Sequence, residues 1–296
     1  MPHVSDAPHP IDLVVPPRDG DVGAFTVRRT LPWRRHRSVG PFVFLDEMGP
    51  VRLAPGQGLD VAPHPHVGLA TVTWLLAGEI LHRDSLGSIQ AIRPGELNWM
   101  TAGAGIVHSE RSPDAARARG GTLHGLQCWV ALPRAHEETA PTFAHYGAAD
   151  LPVIEGDGCR VTLIAGAAWG RRAPVATLGE TLFAEARLAP GAALTLPADI
   201  ADLAHYPLEG TVTIAGRDFA REGLLVLRGG ATVAVKSTGG AHVMVLGGAA
   251  LDGPRHIWWN FVASSRGRIE AAKAAWREGR FAAVPGDPEQ IPLPLR

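Results

Sequence analysis

The chain has 296 residues, of which 46% are hydrophobic and 19% are charged, and its formal net charge is −1. This composition excludes an intrinsically disordered chain, and the balanced charge argues against a nucleic-acid-binding or polybasic membrane-binding surface. The length exceeds what one ordinary core accommodates and therefore predicts two compact domains.

The hydrophobic pattern predicts short strands over most of the chain. Glycine (35) and proline (25) are frequent, and they separate apolar segments at a spacing that is typical of β-sandwiches and barrels. In chain order, the predicted strands are ATVTWLL, SIQAIR, LNWM, LQCWVAL, RVTLIAG, FAEARL, ALTLP, TVTIAG, LLVLRG, TVAVKS and HVMVLGG.

Two segments have helical patterns. SSRGRIEAAKAAWREGRF begins with serines that suit an N-cap, and it places Ile269, Ala272 and Trp276 on one face. The shorter segment, SPDAARARG, predicts a helix with Ser112 as the cap and Pro113 in the first helical position.

A weak internal repeat relates the two halves of the chain. WLLAGEILH resembles YPLEGTVTI, which aligns Gly78 with Gly210, and IRPGELNWM resembles FAREGLLVL, which aligns Gly95 with Gly223. The two similar offsets indicate one β-domain that has been duplicated, with a boundary near Ala148–Pro152.

Two pairs of potential metal ligands stand out. His64 and His66 in DVAPHPH point to the same face of a strand, and Pro65 between them favours a strand start or an edge strand. His108 and Glu110 in GIVHSE repeat this spacing. Three imidazoles and one carboxylate suit iron, manganese, nickel, copper or zinc better than calcium. Because the chain has 13 histidines, the spacing alone does not distinguish a metal site from solvated surface histidines.

The sequence around these residues resembles the pirin family of the cupin superfamily. The likeness is dense in PHPH, HRDSLG and WMTAGAGIVHSE, and it extends to RSVGPFVFLDEMGP, GTLHGLQCWVALP and WWNFVASSRGRIEAAKAAWREGRF. It implies an all-β protein with two cupin (double-stranded β-helix or jelly-roll) barrels and a few short helices, mainly C-terminal. The implied domains are a metal-binding barrel over 1–148, a second barrel without metal ligands over 149–252, and a helical or extended tail over 253–296 that packs on the barrels.

The resemblance also implies a metal site. Its ligands would be His64, His66, His108 and Glu110, holding one divalent transition metal, with iron(II) as the first choice and manganese, nickel, copper or zinc as alternatives. Ala70 stands where many members carry a glutamate, and we expect this difference to alter the polarity of the pocket.

The remaining histidines have weaker claims on function. His82 and His124 are candidates for the pocket or for hydrogen bonds to a metal ligand, although a role in maintaining the fold is the preferred interpretation. His205 and His242 are interpreted as structural or surface residues.

The implied activity is that of a quercetin 2,3-dioxygenase, which opens a flavonol with O₂ and releases carbon monoxide, with Glu110 as the catalytic base. Whether the protein is an enzyme stays open at this point. The alternatives are a metal- or redox-dependent regulatory protein that binds a transcription factor or metabolic enzyme, and a cupin with a structural metal. We expect a flavonol-like aromatic substrate or a protein partner, no direct binding of nucleic acid or membranes, and, because the chain has only Cys128 and Cys159, a cytoplasmic location.

Overall fold

The structure is a computed structural model that describes residues 8–22, 25–230 and 232–294. Within these residues most of the regular structure is β, as predicted. The strands are β1 (Ile11–Val15), β2 (Arg18–Asp21), β3 (Thr26–Leu31), β4 (Phe42–Leu53), β5 (Asp60–His66), β6 (Leu69–Ala77), β7 (Ile80–Asp84), β8 (Ile89–Ile92), β9 (Leu97–Thr101), β10 (Ile106–Arg111), β11 (Gly121–Ala131), β12 (Thr142–Tyr146), β13 (Val153–Gly156), β14 (Cys159–Ala165), β15 (Ala167–Ala168), β16 (Arg171–Arg172), β17 (Thr181–Leu188), β18 (Ala193–Thr195), β19 (Asp202–Gly210), β20 (Val212–Ile214), β21 (Arg217–Phe219), β22 (Leu224–Leu227), β23 (Ala234–Lys236), β24 (Ala241–Gly248), β25 (His256–Trp258) and β26 (Phe261–Ala263). The α-helices are α1 (Asp114–Arg119) and α2 (Arg266–Arg277), and a short 3₁₀ turn spans Arg134–His136.

These elements form two compact units. In the described part of the chain, residues 18–150 and 251–294 form the first barrel, and residues 8–17 and 151–250 form the second barrel. The predicted ranges 1–148 and 149–252 differ from this division at the N-terminus, because β1 pairs with β22 and so belongs to the second barrel. The predicted tail groups with the first barrel.

The two barrels have the same strand order. The large sheet of the first barrel runs β12-β9-β6-β11-β4-β3-β2, and that of the second runs β1-β22-β19-β24-β17-β14-β13. The small sheets run β5-β10-β7-β8 and β18-β23-β20-β21. Each strand of these four sheets therefore has a counterpart at the same place in the other barrel, and the duplication suggested by the sequence repeat is visible in the topology.

The aligned glycines occupy equivalent turns. Gly78 begins the turn after β6 with φ +89°, and Gly210 ends β19 with φ +74°. A Cβ at Gly78 would lie 2.8 Å from the main-chain oxygen of Thr122, and one at Gly210 would lie 2.2 Å from that of Gly240. Both turns press against the start of the neighbouring strand, β11 or β24, so both need glycine for the same steric reason.

A buried Glu–His pair is also repeated. His124 on β11 lies 3.0 Å from Glu47 on β4, and His242 on β24 lies 2.7 Å from Glu185 on β17. Successive side chains of a strand point to opposite faces of the sheet. Both histidines alternate with the residues that fill the barrel interior, so these pairs lie on the outer face of each large sheet. The interpretation of His124 and His242 as residues of the fold agrees with these contacts.

Apolar side chains fill the second barrel completely, including its small sheet. There, β18 and β23 pair Leu194 with Val235, and both side chains lie in the core. The counterparts of these strands in the first barrel are β5 and β10, which carry the predicted metal ligands. His205 is also fully buried in the second barrel, and among the described residues neither of its ring nitrogens has a hydrogen-bond partner.

The C-terminal helix completes the first barrel. As predicted, the Ser265 side chain caps α2 by accepting a hydrogen bond from the Arg268 N–H, and Ile269, Ala272 and Trp276 are its buried residues. These side chains pack with Phe261 of β26 and Val67 next to β5. The tail is therefore part of the barrel wall that carries the histidines.

The prediction for α1 was wrong at its start. Pro113 occupies the N-cap position, and no side chain caps the helix. The Ser112 hydroxyl instead accepts a hydrogen bond from the Leu59 N–H, 2.9 Å away, which ties the helix to the segment before β5. Neither helix in the described residues has the length and apolar character needed to span a membrane.

Candidate metal centre

The candidate ligands come from two paired strands. β5 and β10 are antiparallel, with His108 opposite His64 and Ile106 opposite His66. β5 is the edge strand of the small sheet, as Pro65 predicted, because a proline cannot donate a ladder hydrogen bond. Because side chains alternate along a strand, His64 and His66 point to the same face of the sheet, where they meet His108 of β10.

The three imidazoles converge on one point. Each offers a ring nitrogen, and these atoms all lie within 4.8 Å of one another. The Nε2 atoms of His66 and His108 are 3.1 Å apart. With metal–nitrogen bonds of about 2.1 Å, two nitrogen atoms at this separation could both bind one cation.

Hydrogen bonds to backbone carbonyls orient two of the rings. His64 Nδ1 lies 2.9 Å from the Ala62 carbonyl oxygen, and His66 Nδ1 lies 3.2 Å from the Asn260 carbonyl oxygen. A carbonyl oxygen only accepts hydrogen bonds, so both Nδ1 atoms carry the proton. In the neutral rings the Nε2 lone pairs of His64 and His66 are therefore available to a cation.

A second histidine orients the third ring. His82 Nε2 donates to Asp84 Oδ2 at 3.0 Å, so a neutral His82 presents an unprotonated Nδ1, which lies 3.3 Å from His108 Nδ1. His108 then donates from Nδ1 and keeps an Nε2 lone pair. The candidate role of His82 as a partner of a metal ligand thus agrees with its position. Lone pairs from all three rings face the same space, and a cation between them relieves their repulsion.

Burial keeps these rings neutral. Between 1% and 6% of each of the three side chains is exposed. Burial lowers the pKa of His64 to about 4, and burial followed by the neighbouring histidines lowers the pKa of His66 and His108 well below the ordinary range. Neutral imidazole is the form that binds a metal, so the centre is ready for one at neutral pH.

Glu110 lies in the same cavity but outside the group of three. The pairing of β10 with β5 shifts register between His108 and Glu110, and the Glu110 carboxylate accepts a hydrogen bond from the Thr73 hydroxyl at 3.3 Å. Burial raises the pKa of Glu110, an effect that His82 and the Thr73 hydrogen bond partly offset. The structure thus brings together three of the four predicted ligands and places the fourth beside them.

The centre opens into a cavity of about 590 Å³. One wall is aromatic: the rings of Phe44 and Trp129 stack with their centroids 4.1 Å apart. Arg29 covers Phe44, with its guanidinium carbon 4.5 Å from the ring centroid, and it donates two hydrogen bonds to Asp46. The cavity therefore has an aromatic pair in its wall next to the histidines, and the charged side chains of Arg29 and Asp46 lie beside that pair.

Several lining residues were missed by the sequence analysis. Phe44 and Asp46 lie within a matched segment but had no signal of their own, and Asn260 acts through a backbone carbonyl that no side-chain pattern reveals. Ala70, in contrast, is fully buried and does not line the cavity. It lies on the face of β6 opposite to Thr73, so the expected effect on pocket polarity was wrong.

Comparison with known proteins places this geometry in a family. A family model described as Pirin matches residues 24–130, and one described as Pirin C-terminal cupin domain matches residues 183–282. A pirin-like protein of Caulobacter vibrioides is 47% identical over 288 residues, which cover 96% of this chain and 99% of the relative. Pirin of Rattus norvegicus is 32% identical over 268 residues, or 88% of each chain.

A solved structure supports the same family assignment. The crystal structure of a quercetin 2,3-dioxygenase from Acinetobacter baumannii is 33% identical and matches with a TM-score of 0.88, covering 95% of this chain and 94% of that one. The chain therefore belongs to the pirin family and has the family's two cupin barrels.

Proposed function

We propose that the first barrel holds one divalent transition metal through His64, His66, His108 and Glu110, and that the protein is a quercetin 2,3-dioxygenase-type enzyme. The observation that carries this proposal is the convergence of three Nε2 lone pairs in an open aromatic cavity. A closed structural site would not need the cavity. Iron(II) is our first choice, because imidazole and carboxylate ligands with open positions are typical of non-haem iron oxygenases.

A metal in this position supplies a Lewis acid for the substrate oxygens and a redox partner for O₂. The protein residues bind and orient the substrate. Phe44 and Trp129 offer apolar contacts to the aromatic rings, and Arg29, held by Asp46, places a cation beside them. Such positioning lowers the entropic cost of bringing the flavonol and O₂ together.

Glu110 is the proposed base. Its carboxylate faces the cavity and is held by the Thr73 hydroxyl, whose oxygen also lies 2.8 Å from the Gln127 side-chain oxygen. It would accept the proton of the substrate's 3-hydroxyl. In the overall reaction the flavonol and O₂ give the ring-opened ester and carbon monoxide, so both oxygen atoms and the expelled carbon are accounted for.

The test is an oxygen-uptake assay on protein loaded anaerobically with Fe(II) or Mn(II). With quercetin as the probe, we expect consumption of O₂ and release of carbon monoxide in equal amounts. His66→Ala should abolish both and reduce the metal content. His242→Gln, which changes a buried histidine of the second barrel, should retain both. Stoichiometric metal without turnover of quercetin would refute the dioxygenase function and favour the regulatory alternative.

A further inference from the structure

One wall of the metal cavity comes from the last part of the chain. Trp259, Asn260 and Ile291 line the cavity together with the histidines, and we call these three residues the C-terminal wall. Asn260 also orients a candidate ligand, because its carbonyl oxygen accepts the hydrogen bond from His66 Nδ1. The C-terminal wall is therefore built into the metal centre and is not a separate surface.

Ile291 is held in place on both sides of its main chain. Its N–H donates to the carbonyl oxygen of Pro63 at 2.9 Å, next to His64, and its carbonyl oxygen accepts from Trp276 Nε1 at 3.0 Å. Four residues earlier, Asp287 accepts two hydrogen bonds of 2.8 Å from Arg111. These contacts fix the segment tightly enough for one side chain to define the shape of the cavity.

The contrast with Leu293 shows that Ile291 is not simply a core residue. Leu293 packs against the apolar cluster of α2 and β26. Ile291 instead lines the cavity, although it lies in the same extended segment only two residues away. Leu293 therefore anchors the tail by packing in the apolar cluster, whereas Ile291 presents an apolar surface to any ligand in the cavity.

Trp259 is held in a strained conformation at the same wall. Its φ is +50°, in the left-handed region that costs energy for residues with a Cβ. The turn between β25 and β26 would accept glycine or asparagine without this cost, yet it carries the largest side chain of all. Strain of this kind tends to persist where the side chain has a functional task.

We propose that the C-terminal wall determines which ligands the metal centre accepts, favouring aromatic ligands that contact both it and the Phe44–Trp129 pair in the same cavity. This proposal rests on the metal site of the proposed function, but not on the dioxygenase reaction. The matching chemistry is an aromatic ring with two adjacent oxygen atoms, since the oxygens would be held at the histidines while the ring contacts Ile291 and Trp259. Ligands with the same oxygens but no ring lack these contacts.

The test uses Co(II)-loaded protein and two probes, 4-nitrocatechol and azide, whose binding is followed by absorption spectroscopy. Ile291→Ala and Trp259→Gly should each weaken the binding of 4-nitrocatechol about tenfold, the usual effect of removing apolar contacts in a pocket, while azide binding stays within about twofold. Leu293→Ala is the matched control, because it should lower the melting temperature and leave both affinities unchanged.

Unchanged affinity for 4-nitrocatechol in Ile291→Ala and Trp259→Gly would overturn the proposal. A parallel loss of azide binding would overturn it as well, because the wall would then support the metal ligands and not the aromatic probe. Selective loss of 4-nitrocatechol binding in a protein that consumes no O₂ with quercetin would support the wall and refute the dioxygenase function. The two proposals therefore fail in distinguishable ways.

Discussion

His82→Phe is the sharpest test of how the metal centre is oriented. His82 accepts the hydrogen bond from His108 Nδ1 at 3.3 Å, and its ring stacks on Phe143 with the centroids 4.3 Å apart. Phenylalanine retains the size and the stacking but removes the acceptor. His108 then has a buried Nδ1–H without a partner, and either ring nitrogen can carry its proton.

The expected loss of metal affinity follows from the hydrogen bond between His82 and His108. A buried donor left without a partner costs about 1–3 kcal/mol, and loss of an outer partner of a ligand typically lowers metal affinity by about 10- to 100-fold. We therefore expect Co(II) or Zn(II) to bind His82→Phe about 10- to 100-fold more weakly. The melting temperature without metal should also fall, because the variant loses the hydrogen bond from His82 to the buried Asp84 as well.

Competition against a chromophoric chelator measures this affinity. His242→Gln serves as the control, since it alters a buried histidine of the second barrel and should bind metal like the unmodified protein. If His82→Phe and the unmodified protein bind metal with the same affinity within about twofold, the orientation of His108 by His82 is refuted.

Three further predictions concern stability. The hydrogen bonds from Arg111 lower the pKa of Asp287, so this carboxylate stabilises the fold above its ordinary pKa and loses that effect as the pH falls through its lowered value. Chemical denaturation at pH 7 should show that Asp287→Asn lowers the free energy of unfolding by about 2 kcal/mol. A loss that persists unchanged at pH 2 would contradict this. Burial lowers the pKa of His205 to about 3, so the unfolded chain binds more protons than the folded protein between that value and the ordinary one near 6.5. His205→Leu should therefore be more stable than the unmodified protein at pH 5. If thermal melts show that its gain in stability does not grow from pH 8 to pH 5, the reasoning is refuted. Gly210→Ala should destabilise the protein by more than about 2 kcal/mol, because its Cβ would lie 2.2 Å from a main-chain oxygen. Gly216 has φ +81° but no atom within 4 Å of a Cβ, so Gly216→Ala should lower the free energy of unfolding by only about 1 kcal/mol. Equal losses in denaturant titrations would show that the steric contact is unimportant.

Local spacing was sufficient to place His64 and His66 together, whereas the addition of His108 rested on the family resemblance. His64 and His66 share a strand face by alternation alone, and Pro65 indicated the edge position that β5 occupies. The duplication was also visible, since Gly78 and Gly210 are required by the same steric contact in both barrels. Local rules of this kind act over a few residues and can be read without coordinates.

Contacts between distant segments could not be read in this way. The segment IDLVV of β1 is a plausible strand for either barrel, and only its pairing with β22 assigns it to the second. Asn260 contributes its backbone carbonyl oxygen, and Ile291 contributes a side chain that lines the cavity. No sequence pattern reveals either contribution. Glu110 shows the intermediate case: its spacing placed it in the cavity, but the register shift after His108 left it outside the cluster of imidazoles.

The division of each barrel between both ends of the chain has a consequence for biosynthesis. His64, His66 and His108 leave the ribosome early, but the carbonyl that fixes the His66 ring belongs to residue 260, and the segment that reaches Pro63 includes residue 291. At about 5–20 residues per second, translation of the intervening chain takes many seconds, during which the three imidazoles have no completed pocket. We therefore expect the proposed metal to be held in this pocket only after residues 260 and 291 have been synthesised.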